Sequence, residues 1–143
     1  MISPFDPRLF HELGERVEAR LGARKGTEAF ADIAQSELAA AELPEALDVA
    51  AIGVWATEPD APDQDPTSSF GDLSLVVHEA PEFVIQLLVW NQGVADIHQH
   101  SFSGAFRVLS GSSVHARYGL RTAREVTPLC RVVDASLEGL ELL

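Results

Sequence analysis

A single cysteine, Cys130, stands in 143 residues, so the chain can close no internal disulfide; the thiol reads as a small apolar side chain in a reducing compartment. Cationic side chains are as scarce through the middle of the chain, where no lysine or arginine occurs from Gly26 to Phe106. An anionic ligand would find only histidines, backbone amides and neutral donors there. Together with a formal net charge of -12, this argues against nucleic acid or an anionic membrane as partner, because both demand a positive surface. No apolar run approaches the roughly eighteen residues of a membrane helix, and the opening MISPFDPRLF has neither the basic nor the apolar region of a signal peptide. A cytoplasmic protein is expected.

What is present suffices for one domain with one core, built as an N-terminal helical segment over residues 1–47 and a β region over residues 48–143. Asp6-Pro7 predicts a helix start, with Leu9, Phe10, Leu13, Val17 and Leu21 at helical spacing and Gly22 as the stop. A second helix is expected from an N-cap at Thr27 through Phe30, Ile33, Ala34, Leu38 and Ala41, ending before Pro44. Both have apolar stripes to lay on the outside of a sheet and polar faces for solvent, among whose residues His11 has no chemical role. Val49 to Ala56 reads as a strand, and Glu58 to Ser69 as an acidic, proline-rich surface loop or lid without packing residues. Strands are expected over Phe70 to Glu79 and Phe83 to Asn91, joined by Ala80-Pro81-Glu82, the second buried on both faces. His78, ending the first, reads as a rim histidine bonded to solvent or backbone.

Residues 83–118 concentrate the chemistry. His98 and His100 are two apart, so on a strand both imidazoles leave the same face and can converge on one metal ion, for which a borderline metal needs a third protein ligand. Gly93 precedes the pair, and Gly104 and Gly111 follow it. Further on, Ala105 to Leu109 and Ser112 to Tyr118 predict a hairpin about Ser110-Gly111, with Leu109 facing Ser112 and Phe106 facing His115. That register puts Gly104, Phe106, Val108, Ser113, His115 and Arg117 on one face, which parity from His100 makes the interior. His115 is then a contact to substrate or to the ligands, or else a core or surface histidine; Arg117 stands at the mouth, and Tyr118 is a hydroxyl donor nearby.

The spacing of Gly93, His98, His100, Gly104 and Gly111 resembles the first motif of the cupin superfamily. Trp90-Asn91-Gln92-Gly93 followed by Ile97-His98-Gln99-His100 is more narrowly similar to the cysteine dioxygenase group, with its W-x-x-G and I-H-x-H, over about thirty residues. The resemblance implies a mainly β, jelly-roll antiparallel barrel with the two helices packed outside it. It further implies Fe(2+) held by His98 and His100, with Ni, Mn or Zn as alternatives or no metal if the site is incomplete, and a small substrate oxidised with O2. Trp90, Phe106 and Arg117 are then candidate substrate contacts, and His115 and Tyr118 candidate catalytic groups.

Four departures bear on this. Gly104 replaces the glutamate ligand of many cupins, as in the thiol dioxygenase branch, and Gly104-Ala105 leaves no cysteine for the thioether of mammalian-type members. No histidine follows His115, so the second motif with its third histidine is missing, and a chain truncated relative to longer cupins is expected, with an open sheet edge that favours homo-oligomers. The family's substrate-holding arginine has no counterpart between Arg24 and Arg107, which speaks against cysteine as substrate. A binding cupin without turnover, or a fragment without a complete metal site, are the alternatives.

Overall fold

The computed structural model describes residues 5–23, 27–65, 67, 71–91, 93, 97, 102–128 and 130–143, with backbone only for residues 27–29. Its order is α1 (Arg8–Leu21), α2 (Thr27–Ala40), α3 (Val49–Trp55), β1 (Leu73–Glu79), β2 (Val84–Val89), β3 (Val114–Thr127) and β4 (Cys130–Leu142). The chain divides into two compact units, Met1–Ser110 and Gly111–Leu143.

In the first unit the start of α1 follows from Asp6-Pro7. Pro7 has helical dihedrals and no N–H to orphan, and the Asp6 carboxylate accepts from the backbone N–H of Arg8 at 3.1 Å while pairing with its guanidinium. Phe10, Leu13, Gly14 and Val17 form the buried face, and Gly22 closes the helix by donating to the Glu18 carbonyl. Helix α2 lays Ile33, Ala34 and Glu37 against α1. Glu37 therefore leaves the solvated face expected of it: Arg16 Nε and Arg20 Nη1 reach its two oxygens at 3.0 and 2.6 Å. Hydrogen bonds from Arg20, then Arg16, hold its carboxyl below the usual range. The last α2 carbonyls are satisfied by Arg107, whose Nη1 donates to Leu38 and Ala41.

The segment expected as a strand from Val49 is the helix α3. Asp48 has extended dihedrals and its carboxylate accepts from the N–H groups of Ala50 and Ala51 at 3.0 and 3.1 Å, a cap that decides an apolar run whose period is ambiguous. The following acidic loop is also tied down. Gln64 donates to the Val76 carbonyl and accepts from its N–H, at 3.0 and 2.9 Å, so one side-chain amide stands in for a neighbouring strand on the outer edge of β1.

Strands β1 and β2 pair antiparallel, as expected, with Ala80 N–H bonded to the Phe83 carbonyl across their turn. β2 is not buried on both faces, since Val84 and Gln86 are exposed. Among the described elements, α1 packs against β1 of the pair. A bulge at Val77 shifts the register between Val76 and His78, so that two successive residues, Val77 and His78, are both buried. The core is Phe10, Leu13, Val17, Ile33, Ala41, Leu43 and Val77, flanked by Phe30, Phe83, Ile85, Leu87 and Leu109. The helices thus bury Phe10, Leu13 and Val17 together, as their spacing requires.

The second unit is one antiparallel ribbon of β3 and β4, closed at its open end by reciprocal backbone bonds between Ser113 and Leu143. The described residues therefore form a mixed architecture of three helices and two two-stranded antiparallel sheets, and no closed barrel is found among them.

Candidate functional site

Strand β2 delivers the chain to the stretch singled out by its histidines. His98 and His100 themselves lie outside the described residues. The approach to them is built around Trp90. Asp72 N–H donates to the Val89 carbonyl, and the Asp72 carboxylate accepts from Asn91 N–H at 2.6 Å, fixing both ends of the turn. The indole then lies against two glycines. A Cβ at Gly71, whose φ of 90° already favours glycine, would sit 3.3 Å from Trp90 Cε2, and one at Gly93 would sit 3.2 Å from Trp90 Cδ1. The spacing of Trp90 and Gly93 thus has a local cause: the backbone three residues on folds against the ring. Trp90, Ile97 and Phe106 are all surface-exposed.

Within the ribbon the other candidates take positions different from those expected. The hairpin about Ser110-Gly111 does not form, because residues 103–109 are not a strand and β3 pairs along its whole length with β4. His115 therefore faces Glu141, with Nδ1 3.9 Å from Oε2, and not Phe106. Arg117 lies across Gly139, where a Cβ would approach its Nη2 to 3.1 Å. His115 and Arg117 share the polar side of the ribbon, together with Arg121 and Asp134, so the interior face that parity suggested is the charged one. Tyr118, paired with Leu137, is on the opposite side.

One cluster was not legible as such. His11, on α1, and His78, on β1, bring their Nδ1 atoms to 3.3 Å, and His11 Nε2 lies 3.4 Å from Glu15 Oε1. The bulge at Val77 is what turns His78 inward, to 6 % exposure, so it is no rim residue. Its Nε2 is buried and has no hydrogen-bond partner among the described residues. With N–H at His11 Nε2, toward the carboxylate of Glu15, His11 Nδ1 can accept from His78 Nδ1–H, an arrangement that avoids a buried donor at His78 Nε2.

Burial, then the neighbouring His11, lowers the pKa of His78, against the smaller opposing pull of Glu18 and Glu15. The unfolded chain consequently binds the extra proton first, and stability is complete above the ordinary imidazole value of 6.5 and lost as pH falls from there toward the lowered native value. Urea midpoints measured at about pH 7.5 and about pH 5 should show this loss in the native chain and a smaller one in His78→Leu. An identical acid dependence in that variant would assign the effect to other groups.

Among the described residues no three His, Cys, Asp or Glu side chains are grouped to hold a metal ion, and Cys130 is exposed. No described helix is long and apolar enough to cross a membrane. No protein-family model, no curated protein and no solved structure matches the chain.

Proposed function

We propose that the chain is a metal-binding protein of the cupin type, related to the thiol dioxygenases, in which His98 and His100 supply two imidazole ligands to ferrous iron within a jelly-roll barrel. The observation that carries the reading is the Trp90 turn, in which the glycine of the W-x-x-G phrase lies close against the indole, immediately before the I-H-x-H phrase. The donor chemistry suits the ion, since imidazole serves iron well and both rings must be neutral to bind. Bound iron with open positions would supply a place for a small molecule and dioxygen to meet.

The chain's own residues narrow the substrate. The single arginine that ends the cation-free stretch, Arg107, has its Nη1 on the carbonyls of Leu38 and Ala41, so the one guanidinium of residues 26–107 is tied to the end of α2. A small thiol recognised without such a contact fits better than cysteine.

The test is elemental analysis after anaerobic iron loading, with oxygen uptake on cysteine, 3-mercaptopropionate and cysteamine, the last a thiol without a carboxylate. His98→Ala and His100→Ala should each weaken iron retention more than about tenfold, since even groups that only orient a ligand change affinity by that much. Retention should also fall as pH drops through the imidazole range. Equal iron in the native chain and the double variant would remove the reading.

A further inference from the structure

The β3–β4 ribbon separates its residues by chemistry. Registered pairs on one side are Val114 with Leu142, Ala116 with Leu140, Tyr118 with Leu137, Leu120 with Ala135 and Thr122 with Val133. On the other side His115 faces Glu141, Arg117 faces Gly139, Gly119 faces Ser136 and Arg121 faces Asp134, the last an ion pair at 3.0 Å. The extra residue at Glu138 keeps the two sides in phase, since the register steps from Gly139 to Leu137 there. The apolar row lies open: Val114 is 64 % exposed, Leu120 54 %, Leu137 57 %, Leu140 63 % and Leu142 77 %. A two-stranded ribbon with one bare apolar face is at best marginally stable in water and needs a cover.

We propose that this face is covered by the same face of a second copy of the chain, two ribbons stacking about a two-fold axis into a four-stranded, two-layer sandwich. The area fits. Exposed surface along the row amounts to on the order of 800 Å², about what each partner contributes to a stable interface. The shape fits as well, because an isologous contact needs a self-complementary patch, and five successive uncharged, mostly apolar rungs provide one at the ordinary spacing of about 10 Å between stacked sheets.

Charge on the ribbon does not oppose a second copy. Residues 111–143 hold four arginines and four acids and are neutral, whereas residues 1–110 carry the whole formal charge of -12. The first units repel one another, while the neutral ribbons add no repulsion of their own. The contact is through the face, and differs from pairing at an open strand edge, which would leave the apolar row as bare as before. The inference does not depend on the metal reading.

Sedimentation of the full chain over a range of concentrations tests it. A reversible dimer is expected, strengthened by salt as the acidic units are screened. Leu137→Glu with Leu140→Glu should raise the dissociation constant at least about thirtyfold, the effect of losing central interface contacts, while Ser136→Ala on the polar side leaves it unchanged. Because the doubly substituted ribbon is at risk of unfolding, a second variant is included. Tyr118→Cys, in a Cys130→Ser background, lies at the middle of the row beside the two-fold axis and should be cross-linked between copies by a short bifunctional maleimide, whose reach matches the sheet spacing of about 10 Å. A monomer at every concentration, a dimer indifferent to the two glutamates, or no cross-link at residue 118 would each overturn the proposal.

Discussion

Phe10→Ala is expected to destabilise the first unit by about 3–5 kcal/mol, the cost of deleting a buried phenylalanine from a core that cannot collapse around the void. The residue is 2 % exposed and belongs to the cluster with Leu13, Val17 and Ile33, so its loss removes apolar burial and leaves a hole between α1 and α2. A second loss follows from the aromatic chain it anchors. Phe5 stacks on Phe10 with ring centroids 5.8 Å apart and meets Trp55 at 5.0 Å, so the N-terminal segment and the end of α3 are joined through it. Both tryptophans, Trp55 and Trp90, lie in the first unit, so their fluorescence in a urea titration reports the unit in question without contribution from the ribbon. Phe10→Leu, nearer in volume, should cost less, about 1.5 kcal/mol. A loss below about 1 kcal/mol in Phe10→Ala would mean that the α1–α2 packing is looser than the burial of these side chains implies.

How much of this could be read beforehand depends on the period of each segment. The two long helices were legible because Phe10, Leu13 and Val17, and Ile33 and Ala34, recur at helical spacing between strong stops. The β1–β2 hairpin was legible through its turn residues. α3 was not, because Val49 to Val54 is apolar throughout and the deciding signal was a single side chain, the capping carboxylate of Asp48. Glu37 looked solvated because its cationic partners, Arg16 and Arg20, sit on another helix. The pairing of β3 was missed for a different reason: a turn at Ser110-Gly111 competes in the sequence with a much longer partner, Cys130–Leu142, whose alternation is interrupted by bulges. Of the candidate site, the sequence specified Trp90 and Gly93 and their spacing. It could not specify His11 and His78, because the alternation of Leu75 and Val77 assigns His78 to the outer face and only the bulge reverses it.

Gly14→Ala is the sharper test of that cluster, because helix propensity and packing predict opposite signs. In the interior of a helix alanine is favoured over glycine by roughly 1 kcal/mol, so an exposed position would gain stability. Gly14 is buried, and a Cβ built on it overlaps the His78 imidazole, closest at Nε2. The ring has little room to yield. It is enclosed to 6 % exposure, meets Phe83 at a centroid distance of 5.8 Å and has its Nδ1 held at 3.3 Å from His11. Alanine must therefore push α1 away from β1 or break the histidine contact, and a net loss of about 1–3 kcal/mol is expected, as for other overpacked cores. The double-mutant cycle with His78→Ala isolates the cause. Once the imidazole is gone, Gly14→Ala should become neutral or stabilising, with a coupling of about 2 kcal/mol between the two positions. Urea midpoints of the four proteins give the cycle directly. Should Gly14→Ala stabilise the native chain, His78 cannot be seated against α1, and the contact between His11 and His78 would be lost.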